Sequence, residues 1–123
     1  MTDPTSPALE VALAYYRAWT NKNLDKAISY IAEDIVCEAP AGRIEGAEAY
    51  RAFMAPFVEI LVNSNMIAAF GDEQTALVMY DTETLPVKSA PGAECVTVCD
   101  GKIIRSRFIF DRAPFEAARS AGT

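Results

Sequence analysis

The side chains able to do chemistry in this chain are tyrosines, carboxylates and thiols, because there is no histidine. That absence removes the usual neutral-pH general base, the commonest zinc ligand and any Ser or Cys triad built on imidazole. Proton transfer must fall to Asp, Glu, Tyr, Lys or Cys. Tyr15 and Tyr16 are neighbours on a helical pattern, so they are expected to face different ways, only one of them toward a core. Asp81 lies in the alternating run Val78-Met79-Tyr80-Asp81-Thr82. It is either an inward base, its carboxyl raised by burial as a proton abstractor requires, or a solvated outer-face group beside Glu83. A single bulge decides whether Tyr80 or Asp81 points inward. Cys37 has no cationic partner to activate it and reads as an inert buried thiol. Asp81 is therefore a candidate catalytic residue, with no metal and no cofactor expected.

The elements that must position these groups are bounded by size. At 123 residues and 13.4 kDa the chain is expected to form one domain, burying roughly two thirds of its unfolded surface. That suffices for a core and one pocket. The net charge is -6, and the 11 Lys and Arg residues are scattered, so no basic face is available for nucleic acid. Cys37, Cys95 and Cys99 make an odd count with no secretory leader, which argues for free thiols. The first residues lack a basic n-region, and no apolar run reaches the length of a membrane span. A cytoplasmic protein without membrane association is the expectation.

Ser6-Pro7 is a capping pair that opens a first helix running to about Asn21, with Leu9, Ala12, Leu13, Tyr16 and Trp19 on its apolar stripe. A short second helix covers residues 24–31, and a strand covers residues 35–39 and stops at Pro40. Residues 46–57 begin a third helix that Pro56 should kink or break. Strand patterns follow at residues 66–70, 75–85, 93–99 and 102–111, the last two joined by the hairpin signal Asp100-Gly101. Helices first and a meander afterwards make the fold class α+β. Residues 1–6 and 116–123 are expected to be flexible ends.

The run Ala32-Glu33-Asp34 to Glu38-Ala39-Pro40, then Ile44-Glu45-Gly46 before a helix, carries a resemblance. With Asp100-Gly101-Lys102-Ile103-Ile104 to Phe110-Asp111-Arg112 at the end, the order and spacing are similar to those of the nuclear transport factor 2-like superfamily and its SnoaL-like domains. That group includes ketosteroid isomerases, polyketide cyclases and limonene epoxide hydrolases. The resemblance spans nearly the whole chain. It implies a cone-shaped curved antiparallel sheet wrapped by three helices, a cystatin-like roll, with an apolar pocket at its open end. It also implies a homodimer through the outer sheet face.

Compared position by position with the isomerases, Tyr15 falls where a helix tyrosine donates to the substrate oxygen. Ala39 falls where the proton-shuttling aspartate stands, and the second oxyanion acid falls near Cys95. Glu38 is one residue from Ala39 and so points to the opposite face of the strand. Without both acids the chain is not a standard ketosteroid isomerase. The epoxide hydrolases' last-strand aspartate falls at Phe108, and residues 79–84 hold no Arg-x-Asp pair, which disfavours that chemistry too. A cyclase needs only one acid or base, which Asp81 supplies if it turns inward.

The same comparison implies a pocket. Trp19, Phe53 and Phe57 come from the helices, Cys37 and Ala39 from the first strand, Cys95 and Thr97 from the penultimate one, and Ser106, Phe108 and Phe110 from the last. These residues either fill a core or surround a ligand. Arg105, Arg107 and Asp111 alternate on the last strand and suit a cross-strand ion network with Glu94, or a dimer rim. The expected function is to hold a small hydrophobic molecule, with isomerase, cyclase or dehydratase chemistry that needs no cofactor. The alternative is a non-catalytic ligand-binding or dimeric assembly module.

Overall fold

Ser6 caps the first helix, α1 (Pro7–Thr20), its hydroxyl accepting from the Leu9 N–H at 3.0 Å while Pro7 occupies a position where no N–H is needed. The computed structural model describes residues 6–40, 42–85, 87–110 and 113–121. After α1 come α2 (Leu24–Ile28), β1 (Ile31–Ala39), β2 (Gly42–Glu45) and α3 (Ala47–Ile60). Then follow β3 (Leu61–Gly71), β4 (Thr75–Thr84), β5 (Ala90–Cys99), β6 (Lys102–Phe110) and α4 (Ala113–Ala121).

The strands form one sheet in the order β2-β1-β6-β5-β4-β3. Its neighbours are antiparallel except β1 and β6, which run parallel, so the sheet is mixed where an antiparallel one was expected. The β5–β6 hairpin turns at Asp100 and Gly101, with φ of 51° and 76°. Two successive positive φ values match the right-handed twist of the flanking strands. Irregular register between Met66 and Ala68 on β3, and between Thr97 and Val98 on β5, bends the sheet. Its concave face receives α1 and α3.

Several boundaries differ from the sequence reading. α2 ends at Ile28 because residues from Ile31 onward pair with β6, lengthening β1 at the helix's expense. Pro56 does not break α3, which continues to Ile60. β2 is a strand that sequence patterning did not mark. Residues 116–121, expected to be part of a flexible end, are helical within α4. Residues 1–5 and 122–123, and Asp111, lie outside the described residues. No helix is long and apolar enough to cross a membrane among the described residues.

The largest fully buried side chains are Trp19, Tyr15, Tyr50, Ile35, Leu61 and Ile103, which join the helices to the inner sheet face. Each fully buried aliphatic among them contributes roughly 1.5–3 kcal/mol. Tyr15 and Tyr16 are both buried, against expectation. Tyr15 turns toward α3 and hydrogen-bonds the Tyr50 hydroxyl, while Tyr16 reaches Ser64 on β3 at 2.6 Å. α1 is covered on two sides, so consecutive tyrosines both find protein.

Candidate functional site

Alternation along the three central strands determines what reaches the concave face. On β4 the buried residues are Ala76, Val78, Tyr80, Thr82 and Thr84, and on β5 they include Gly92, Glu94, Val96 and Val98. A cavity of about 110 Å³ opens between this face and the helices. Its sheet wall is made by Tyr80, Thr82, Gly92, Glu94, Phe108 and Phe110. Trp19 of α1 and Tyr50, Phe53, Met54 and Phe57 of α3 cover it, and Phe115 of α4 stands at its edge. The aromatic rings are in mutual contact. Phe53 meets Phe108 edge-on at 6.1 Å, Phe108 stacks on Phe110 at 5.3 Å, and Phe110 meets Phe115 edge-on at 5.6 Å.

Room for the cavity comes partly from Gly92. A Cβ there would lie 3.2 Å from Tyr80 Cε1 and 3.4 Å from the Ile109 carbonyl oxygen. Any larger residue would push the tyrosine ring or grow into the space.

Among the described residues Glu94 is the one carboxyl group on the cavity wall, and it is 6% exposed. Ser106 donates to its Oε2 at 2.7 Å and Tyr50 donates to the same oxygen at 3.1 Å. Since the Tyr50 proton is used in that way, Tyr15 is the donor in the Tyr15–Tyr50 hydrogen bond. Hydroxyls thus converge on Oε2, and Oε1 has no protein partner among the described residues. No lysine or arginine among the described residues lines the cavity. Burial raises the Glu94 carboxyl above its usual range, opposed by the two hydroxyl hydrogen bonds that favour its anion. Burial, and then the Glu94 charge, raise the Tyr15, Tyr50 and Tyr80 phenols well above theirs.

The expected site residues divide into three groups. Trp19, Phe53, Phe57, Phe108 and Phe110 line the cavity. Cys37, Ala39, Ser106 and Tyr15 do not line it. Cys37 and Ser106 are register partners on β1 and β6, fully enclosed behind Glu94, and Tyr15 lies behind Tyr50. Ala39 packs half-buried beside the core near the end of the β1–β2 ladder. Burial and then the Glu94 charge push the Cys37 thiol up to about 11, an inert state.

The third group lies on the other face of the sheet. Cys95 and Thr97 alternate with Glu94, Val96 and Val98 and therefore point outward. Asp81 sits between inward Tyr80 and Thr82, paired with Asn65 and Pro91 on the convex side, so it is not a cavity base. Arg105 and Arg107 are exposed on that convex face, opposite Thr97 and Cys95, whereas Glu94 faces Phe108. The ion network proposed for Glu94 therefore does not form.

Glu94 and Tyr50 are polar residues of the cavity wall that the sequence reading did not place there. The signal for Glu94 was its phase: it alternates with Val96 and Val98, the β-branched pair that a buried strand face prefers. A lone carboxyl with one free oxygen in an apolar cavity can take up a proton from a bound molecule and return it. No grouping of three or more His, Cys, Asp or Glu residues able to hold a metal ion occurs among the described residues.

The sequence profile of the SnoaL-like domain matches residues 12–106. A protein from Kribbella flavida has a crystal structure that superposes with a TM-score of 0.94 at 59% sequence identity, over 96% of this chain and 98% of that one. A nuclear transport factor 2-like protein of unknown function from Cytophaga hutchinsonii gives a TM-score of 0.76 at 19% identity, over 94% and 99% of the two chains. An LEH-like epoxide hydrolase from M. tuberculosis gives 0.74 at 18% identity, over 94% and 91%. Among curated proteins, none matches the chain.

Proposed function

This chain belongs to the SnoaL-like domain family, within the nuclear transport factor 2-like superfamily, and from that premise we propose that it binds a small apolar molecule in the cone and transfers a proton on it through Glu94. The observation that carries the reading is the asymmetry of the Glu94 carboxyl. Oε2 is held by Tyr50 and Ser106, while Oε1 of this cavity-lining side chain has no hydrogen bond among the described residues. In the ionised state Oε1 accepts a proton from a carbon beside a carbonyl, and the electron pair moves onto the carbonyl oxygen. Oε1 then returns the proton to the same molecule at a second carbon, to a departing oxygen, or, in a cyclisation, to the oxygen of a second carbonyl whose carbon the carbanion has attacked. Isomerase, cyclase and dehydratase reactions all fit that sequence, and none of them needs a cofactor.

Ala39 stands where the ketosteroid isomerases have their base, so the acid would act from β5 instead of β1. Fold alone does not select the reaction. The test is exchange of C–H protons for deuterium in small aromatic ketones, followed by NMR in heavy water. Wild-type protein should accelerate exchange and Glu94→Gln should not. Equal rates for both proteins would remove the acid–base role and leave a binding module.

A second reading, assembly through the convex face, is favoured by what that face exposes. Phe70 is 70% exposed and Ile109 60%, with Leu77 and Met79 also open to solvent. Met79, Ala93 and Ile109 are successive register partners across β4, β5 and β6, so the apolar strip is continuous. A second copy of the chain on this strip is the proposed occupant. Arg105 and Arg107 on β6 and Asp81 and Glu83 on β4 flank the strip with opposite charge, which a two-fold contact would bring together.

A further inference from the structure

Two buried residues that line the cavity each carry a polar hydrogen with no acceptor among the described residues. Tyr80 is 3% exposed and Trp19 1%, both line the cavity, and their rings are 5.4 Å apart. Tyr15, Tyr16 and Tyr50 all have hydroxyl partners. The Tyr80 hydroxyl and the Trp19 indole N–H have none among the described residues. An enclosed donor without an acceptor is costly, and native proteins seldom leave one without a reason. Neither group is needed to define the core, since a phenylalanine ring at position 80 would pack as well against Trp19, Tyr16 and Gly92. Trp19 and Tyr80 line the same cavity as Glu94, whose charge is felt by the Tyr80 phenol.

We infer that Tyr80, with Trp19 beside it, donates hydrogen bonds to an acceptor oxygen of the ligand, so that the ligand class is a neutral, ring-bearing carbonyl compound. This rests on the reading of the cavity as the ligand site. The division of labour follows from the chemistry of each group. Tyrosine O–H and indole N–H supply donors, and with their phenol and indole protons retained at neutral pH they suit an uncharged oxygen that gains negative charge during reaction. Glu94 faces the carbon from which the proton leaves. The donors come from β4 and α1, and neither is the Tyr15 that the resemblance assigned to this task.

The test compares acetophenone with isopropylbenzene, which has nearly the same shape but no acceptor, by NMR titration against wild-type protein and Tyr80→Phe. Tyr80→Phe should weaken acetophenone by up to about tenfold, the worth of a well-made hydrogen bond in a dry site, and leave isopropylbenzene unchanged, so that the ratio of the two affinities falls relative to wild-type protein. Trp19→Phe should reduce the ratio as well, and it carries the test if Tyr80→Phe fails to fold. An acetophenone-to-isopropylbenzene affinity ratio that is the same in wild-type protein and both variants overturns the assignment but leaves the cavity as a ligand site. Binding of neither compound overturns both.

Discussion

Tyr50 stands between Tyr15 and Glu94, accepting a hydrogen bond from the first and donating one to Oε2 of the second at 3.1 Å. This relay links the interior of α1 to a carboxyl on β5 through one residue of α3. It leaves Oε1 as the Glu94 oxygen without a hydrogen bond among the described residues.

Removing either donor should move the Glu94 carboxyl upward. Both hydrogen bonds stabilise its anion, so Tyr50→Phe and Ser106→Ala each favour the protonated form. The titration of the Glu94 carboxyl carbon, followed by 13C NMR, should shift to higher pH in each variant and further in the double variant. Any activity that needs ionised Glu94 should have its acid limb moved the same way. A downward shift would contradict the hydrogen-bond assignment.

Stability should depend on pH through the same group with a sign opposite to that of an ion-paired carboxylate. Glu94 is raised in the folded state from a reference of 4.5, so between that value and its folded value the native protein holds the proton and the unfolded chain does not. Stability from this group is therefore complete below 4.5 and falls as pH rises through that window. Glu94→Gln removes the dependence. Denaturant unfolding at several pH values should show the variant gaining on wild-type protein as pH increases.

Tyr15→Phe deletes a hydroxyl that does not line the cavity but holds Tyr50. It should cost about 0.5–1.5 kcal/mol of stability, measured by urea unfolding, and leave the affinity for isopropylbenzene within about twofold. A loss of ligand affinity as large as that of a cavity-wall substitution would instead mean that Tyr15 meets the ligand itself.

Gly92→Val should close the cavity from its sheet side. The added side chain meets Tyr80 and the Ile109 carbonyl, and the space left to it is the ligand's. Binding of one-ring compounds should weaken by at least about tenfold, with the circular dichroism of the native fold retained. Unchanged binding would place the ligand away from β5.

The pair Met79→Lys and Ile109→Asp should abolish self-association without touching the cavity, because both residues face outward across Ala93. Sedimentation equilibrium should give a dimer for the wild-type chain and a monomer for the double variant, with ligand binding retained. A monomeric wild-type chain would remove the assembly reading.

The fold was readable because its strongest signals are local. Ser6-Pro7, Asp100-Gly101 and the apolar stripe of α1 each specify their element within a few residues. The site was harder because it depends on register. Ser106, Phe108 and Phe110 were assigned to the inner face of β6, yet Cys95 and Thr97 were chosen on β5 in place of Glu94 and Val96. An unbroken ladder counted from the Asp100-Gly101 turn pairs Ser106 with Cys95. The irregularity between Thr97 and Val98 shifts the pairing by one residue, so that Ser106 meets Val96 and Phe108 meets Glu94. Both faces of β5 carry small, neutral or apolar residues, which left that one-residue slip unmarked. Asp81 stays open between an inward base and an outer-face carboxylate for a related reason: Tyr80 and Asp81 both fit an inner face until the helices covering β4 are known.

Trp19 gives the protein a built-in optical indicator. It is the chain's single tryptophan, and its ring forms part of the cavity wall in contact with Tyr16, Tyr80 and Phe57. All indole emission therefore originates at one address, where an occupant would change its wavelength, intensity and shielding from dissolved quenchers. A library of unlabelled compounds can be screened on the native sequence without knowing the reaction, and a silent compound is one that never reached the cone.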